Sequence, residues 1–413
     1  VTTIPGRYIE AHIIQAIPFA NLNRDDTNAV KTVKWGDRER TRVSSQCWKR
    51  AMRLYLQTSL GQEAALRTRR LAEYLARHLR EKHDWPAELA ERAGRHTVVA
   101  SSVGGEAPKK KTDEASKKKT DKASKQAEGA SNGTNEHWST AAMVYVPASA
   151  IGELAELAIR YREALEKAKE PKPPTQFERS HSVIPTAEVD AILRSRNGVI
   201  NLFGRMLAQV DDAKVDGAVQ VAHSFTTHAT DTEIDYFSAV DDVTDIWGDT
   251  TGSAHMGQAE HSAGVLYRYV VLDLNDLHAN LGGDLADTRD LAAGLLKAAL
   301  LSLPHAKRNS TAPNTIPHLA HLTVRTDRPV SYAGAFEKPV RADRLGGHGD
   351  LSVIKMDEYA GAVQKLLGKE GCRYAAHATL SEEKIDKLGK RVESFEELID
   401  KALADALAAR ETK

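Results

Sequence analysis

Apolar and polar positions alternate from Tyr8 to Gln15 (YIEAHIIQ), which predicts a strand with Ile9, Ala11 and Ile13 on one face. The period changes at Ser45. On a helical wheel begun there, Gln46, Lys49, Arg50, Arg53 and Gln57 share one arc of roughly 100°. Cys47, Trp48, Ala51, Met52, Leu54, Tyr55 and Leu56 fill the rest of the circumference. The pattern predicts a helix from Ser45 to about Leu60 with a broad buried side and a narrow basic stripe. Arg67 to Lys82 reads as a heavily charged helix. Ile151 to Lys169 reads as an amphipathic one, with Ile151, Leu154, Leu157, Ala158, Tyr161 and Leu165 on one side. Gly217–Phe225, Val265–Asp273 and His318–Thr326 have the composition and alternation of strands. Thr288–Leu303 is an expected helix ended by Pro304. Phe395 to about Ala409 is another, preceded by Ser394 and Glu397 at capping-box spacing.

With two insertions set aside, the order is strand, helix, strand, strand, helix, strand. That order predicts an α+β chain with a ferredoxin-like or RRM-like fold, whose sheet is a common platform for single-stranded RNA. The first insertion runs from about 58 to 196 and the second from about 229 to 263. Inside the first lies an imperfect repeat, KKKTDEAS from Lys109 and KKKTDKAS from Lys117. It has no apolar residue larger than alanine and cannot build a core, so the expectation is a disordered segment. It reads either as a flexible linker or as a nonspecific contact for nucleic acid. The segment EPKPP, Glu170–Pro174, is a Pro-rich spacer.

Composition narrows the class. The chain has 413 residues, enough for more than one domain, with 41% hydrophobic and 28% charged residues, as in a soluble globular protein. No apolar run approaches a membrane span, and the first residues lack the pattern of a secretory signal. Two cysteines, Cys47 and Cys372, are too few for a disulfide framework or a zinc ribbon, and Cys47 falls on the apolar side of its helix. The expectation is a cytoplasmic protein. Net charge is zero, so any contact with nucleic acid must come from a patch.

Such a patch is present. Eight basic residues lie between Lys31 and Arg53, opposed by Asp37 and Glu39 alone, a local charge of +6. Arg38, Arg40 and Arg42 alternate, which places them on one face of an extended segment. Ser44 and Ser45 stand at a helix start, where free N–H groups meet anions. Lys49, Arg50 and Arg53 oppose the helix dipole in the first turns. Two readings follow: a solvated helix face, or a surface for a phosphodiester backbone. A second region has the opposite sign. No Lys or Arg occurs between Lys214 and Arg268, and that span holds nine acids. It reads as an acidic solvated loop, or as the partner of the basic patch in a head-to-tail contact between copies. His223, His228, His255 and His261 lie in the same span, so a metal-dependent RNA endonuclease built on the His/Asp cluster around 223–261 is an alternative. Their spacing fits no standard metal motif, and His223, alternating with strand neighbours, is expected to be a hydrogen-bonded core residue. No Walker loop, G-x-G-x-x-G or G-x-S-x-G is present.

Several stretches, in order, resemble the CasC-type backbone subunit of the type I-E CRISPR Cascade complex. They are LNRDD at 22–26, RVSSQCWKRAMR at 42–53, GRM at 204–206, KVDGAVQVAHSFTTH at 214–228, IDYFSAVDD at 234–242, GSAHMGQAEHSAGVLYRY at 252–269 and AFEKPV at 335–340. The resemblance implies a hand-like protein. Residues 1–57, 197–228 and 264–380 would form the palm and 229–263 the thumb loop. Residues 58–196 would form helical fingers, with the disordered lysine-rich segment at about 106–136, and 381–413 a C-terminal helical segment. Copies, typically six, would stack along one CRISPR RNA, grip its phosphate backbone and leave its bases free to pair with target DNA. Other Cascade subunits would be partners, and a separately recruited helicase-nuclease would cleave. Carried over by position, Arg24, Lys31, Ser44, Gln46, Lys49, Arg50 and Arg53 fall near guide phosphates, and Met206 and Met256 match apolar wedges beside a displaced base. The charge pattern adds Arg42 to the phosphate group. The resemblance implies no catalytic residue, metal site or cofactor.

Overall fold

Tyr8–Ala20 forms one strand of thirteen residues, buried on both faces over most of its length. A computed structural model describes residues 3–106, 138–171, 182–240, 253–368 and 370–409. Ile9, Ala11, Ile13 and Ile17 face one core, as the alternation predicts, while Ile14 joins a second core on the other side. Both faces are buried because the sheet carries helices on one side and a helix with a long loop on the other, and the second face includes the polar Glu10 and His12.

The described residues divide into two compact units. The first comprises Val1–Gln62, Asn201–Phe203 and Gly217–Lys413. Its sheet is built around Tyr8–Ala20, which pairs antiparallel with the 21-residue strand Ser253–Asp273 and, on its other edge, with Leu319–Arg325. Val219–Val221 and Ser224–Thr226 pair with the long strand from outside. Numbered along the chain, these four strand positions stand in the order 4-1-3-2. The expected strand Gly217–Phe225 is two short pieces, because the chain breaks at Ala222 and His223. Beyond Leu319–Arg325 the sheet continues with Cys372–Thr379, and beyond Ser224–Thr226 with Arg38–Val43 and Thr32–Trp35. The last two form a hairpin closed by Gly36 and Asp37, both left-handed (φ 58° and 56°), the Gly/Asp chemistry of a tight turn. A Cβ on Gly36 would stand 1.9 Å from the Glu337 carbonyl oxygen, so no side chain fits there.

Helices Ser45–Ser59, Leu285–Leu301 and Phe395–Leu407 share the first core with Ile9, Leu272 and Leu322. Their N-terminal ends are capped by side chains. Asp284 accepts the Asp287 N–H at 2.8 Å, which starts the second helix three residues before the expected Thr288. Ser394 accepts the Glu397 N–H at 3.1 Å, while the Glu397 carboxylate reaches the Glu393 N–H at 3.0 Å. On the opposite face lies helix Gly349–Leu367, which places Val353, Met356 and Ala360 against Tyr267, Phe336 and Leu319. The span 229–263 is not a plain loop. Glu233–Val240 pairs antiparallel with the first part of Ser253–Asp273 to form an arm. Its acids Asp241, Asp242, Asp245 and Asp249 lie outside the described residues.

The second unit comprises Glu63–Ile200 and Gly204–Asp216. The expected helix Arg67–Lys82 begins later. Ala65–Thr68 is a strand paired with Val144–Pro147, and the helix is Leu71–His83. Arg67 lies over the Tyr145 ring at 4.3 Å, a contact that the strand pairing creates. The expected helix Ile151–Lys169 is Ala150–Arg160 followed by Arg162–Lys167, broken at Tyr161, whose hydroxyl donates to Glu188 at 2.7 Å. Ala87–Ala100 adds a helix, and Leu75, Leu79, Leu154, Leu157 and Val189 lie in the shared core. The lysine repeat lies outside the described residues. Among the described residues no helix is long and apolar enough to cross a membrane.

Candidate nucleic-acid interface

Strand Arg38–Val43 runs directly into Ser44, the N-cap of the basic helix. The Ser44 hydroxyl faces the Cys47 N–H at 3.4 Å, and the first turn has no acidic residue. The Ser44 N–H donates to Asn23 Oδ1 at 2.8 Å. The Asn23 carbonyl accepts the Lys31 N–H at 3.1 Å, and the Lys31 carbonyl accepts the Arg42 N–H at 2.8 Å. Asn23 therefore ties three elements together: the loop with Arg24, the hairpin with Lys31 and Arg42, and the helix start. Arg24 is exposed and donates to Asn28 Oδ1 at 3.2 Å. Asn23 sits within the LNRDD stretch, but nothing in the pattern of charge singles it out.

The helix presents its stripe as the wheel predicts. Trp48, Ala51, Met52 and Leu56 are buried, Gln46 and Arg50 are exposed, and Lys49, Arg53 and Gln57 are half-buried. Arg53 Nε and Gln57 Nε2 have no hydrogen-bond partner among the described residues, so the polar stripe narrows toward protein at that end. The helix is held from below. Trp48 Nε1 donates to Ser224 Oγ at 2.7 Å, and the guanidinium of Arg268 lies 3.8 Å from the Trp48 ring centroid. Arg268 donates to Gln15 Oε1 at 2.6 Å and to the Ala299 carbonyl, and burial pushes its pKa down to about 9.

Charge and position agree for Arg42 but not for Arg40. The Arg40 guanidinium is buried and donates to the carbonyls of Thr226 (2.8 Å), Phe336 (3.1 Å) and Glu337 (3.3 Å). It braces the hairpin and is removed from the basic surface. Arg42 donates to His223 Nδ1 at 2.9 Å, which leaves His223 neutral and accepting. His223 is exposed, which corrects the expectation of a core residue. Desolvation, then Arg42 and Lys31, hold its pKa below the ordinary imidazole range. Burial raises the Cys47 thiol, while Arg50 and Lys31 pull it down.

The two methionines are exposed, each in its own unit. Met206 is 87% exposed between two buried neighbours, Arg205 and Leu207. Arg205 fixes that turn by donating to the carbonyls of Arg194, Ser195, Ala213 and Tyr145 at 2.7–3.2 Å. Met256 is 72% exposed on the arm, opposite Ser238. The adjacent Gly257 lies under the Phe237 ring, where a Cβ would stand 2.3 Å from its edge.

Among the described residues the histidines have separate partners. His228 Nδ1 donates to the Ala229 carbonyl at 2.9 Å, its Nε2 accepts the Val265 N–H at 3.0 Å, and its ring stacks on His348 at 3.7 Å. His261 stacks on Phe19 at 4.2 Å. The His255 side chain lies outside the described residues. Among the described residues no group of three or more His, Cys, Asp or Glu side chains is placed to hold a metal ion.

No curated protein matches the chain. Among solved structures, a chain of a "CRISPR RNA-guided surveillance complex, pre-nicking" is similar at 37% identity and a TM-score of 0.81, covering 97% of this chain and all of that one (100%). A chain of a second "CRISPR RNA-guided surveillance complex" is similar at 33% identity and a TM-score of 0.72, covering 96% of this chain and 99% of that one. The sequence profile described as CT1975-like protein matches residues 9–401, from the first strand to the last helix and through the whole basic surface, so the chain belongs to the CT1975-like family.

Proposed function

We propose that this protein is a non-catalytic guide-RNA scaffold, the backbone subunit of a type I-E Cascade complex. One observation carries the reading: Asn23 joins Arg24, Lys31, Arg42 and Ser44 into one surface with the exposed stripe of the basic helix. This surface lies in a chain 37% identical to a member of an RNA-guided complex. Cations on a rigid frame grip a backbone without reading sequence, which is what a guide needs if its bases are to pair elsewhere. The 4-1-3-2 sheet supports a ferredoxin-like palm, the second unit the fingers, and the arm the thumb. Copies would assemble head to tail along CRISPR RNA in the cytoplasm, joined by other Cascade subunits and by target DNA paired to the guide. Gln46, Lys49, Arg50 and Arg53 would continue the backbone contact, and Met206 and Met256 would wedge beside displaced bases.

The test is to incubate purified protein with RNAs of unrelated sequence and excess divalent metal. Filaments whose length follows the RNA, with the RNA intact, are expected in electron micrographs. Metal-dependent cleavage that disappears in His223→Ala would overturn the reading in favour of a nuclease.

A further inference from the structure

Two carboxylates stand among the cations assigned to the guide backbone. On charge alone, each should weaken a site for a polyanion. Both are instead engaged with backbone. Asp25 Oδ1 accepts the Thr27 N–H at 2.9 Å, the Thr27 hydroxyl at 2.8 Å and the Ala29 N–H at 2.8 Å. The Thr27 hydroxyl is the main cause that holds the Asp25 carboxyl below its ordinary range, so it remains an ionised acceptor. The Asp25 N–H in turn donates to the Ala29 carbonyl at 3.0 Å. The turn thus closed holds Asn28 in the left-handed region (φ 69°), with its side chain against the Arg24 guanidinium. Glu260 acts from outside the loop. Its carboxylate accepts the Val30 N–H at 3.1 Å, and its carbonyl accepts Asn21 Nδ2 at 2.9 Å. Glu260 lies in the arm, opposite Ile234.

We propose that Asp25 and Glu260 are positioning residues for the guide-backbone site, with Glu260 making the root of the arm part of the frame that holds Arg24 and Lys31. The inference rests on the proposed function. It predicts that truncating either side chain weakens RNA binding even though a negative charge leaves the site, the opposite of what electrostatics alone requires. Four variants of the full chain decide it: Asp25→Ala, Asp25→Asn, Glu260→Ala and Glu260→Gln, titrated against a fluorescein-labelled single-stranded RNA. The alanine variants are expected to bind about tenfold more weakly, whereas Asn and Gln, which keep a carbonyl acceptor, bind within about twofold of the parent. Tighter binding by all four would overturn the proposal and leave the scaffold reading intact. Failure of the parent to bind RNA at all would overturn the scaffold reading itself. Hydrogen exchange on the RNA-free protein gives a reading independent of RNA. The Thr27 and Ala29 amides should exchange faster in Asp25→Ala, and the Val30 amide faster in Glu260→Ala. Unchanged exchange at these amides would overturn the proposal too.

Discussion

The basic surface and the arm belong to the same unit, yet they are built by opposite means. The basic surface has its charge outside and its support underneath: Trp48, Met52 and Leu56 are buried, and Asn23 and Arg40 fasten the backbone around it. The arm has little underneath. It is a two-stranded ribbon with Ile234, Tyr236, Phe237 and Met256 exposed and no Lys or Arg anywhere in its sequence. A lone ribbon is marginal in water, and apolar side chains on an acidic ribbon cannot attract phosphate. The difference teaches that one region holds its cations on a buried, hydrogen-bonded frame, whereas the other leaves its apolar side chains in solvent.

Four changes would break or sharpen that contrast. The largest effect is expected for Trp48→Ala, which removes the buried support of the basic helix and should cost about 3–5 kcal/mol in denaturant unfolding. A loss below about 1 kcal/mol would show that the helix is not anchored there. Acid comes next. Burial pushes His228 and His321 down to about 4, so both are neutral in the folded protein. Their unfolded pKa is about 6.5, so nothing is lost above that pH and the cost accrues as pH falls toward about 4. From pH 7 to pH 5 each should cost about 2 kcal/mol, read as a drop in unfolding free energy that shrinks in His228→Asn. A flat profile over that range would contradict the neutral, buried state of both rings.

Third, Lys49→Ala with Arg50→Ala should weaken RNA binding about 10–100-fold across unrelated sequences and reduce the salt slope by about 1.4. An unchanged slope would take the stripe out of the interface. The smallest effect on stability is expected for Met256→Asp, within about 0.5 kcal/mol, because the side chain is already in solvent. The same variant should disorder guide-bound filaments in electron micrographs, and normal filaments would remove Met256 from the wedge.

Much of the fold was legible in the chain. The strand at Tyr8, the helix at Ser45 and the capped helix at Phe395 follow from apolar spacing and cap chemistry, because each buries a regular face. Helix Gly349–Leu367 was harder to read. Its apolar residues are spread around the whole circumference, so no single stripe stands out, and its neighbour in space Tyr267 is distant in sequence. Strand Cys372–Thr379 is alanine-rich and weak in intrinsic β preference. Charge patterning found the basic stretch but could not sort it. Arg40 and Arg42 are two residues apart on one strand, yet one guanidinium is buried against carbonyls and the other stands at the surface beside His223.

The amino-acid sequence by itself determined several of the elements and their order, and the separation of a basic stretch from an acidic one, because periodicity and charge are local properties of a chain. Only the tertiary structure decided which of those charges can meet a ligand. Burial and hydrogen bonding depend on residues far apart in sequence: Phe336 on Arg40, Ser224 on Trp48, and Glu260 on the amide of Val30. No local pattern carries those pairings.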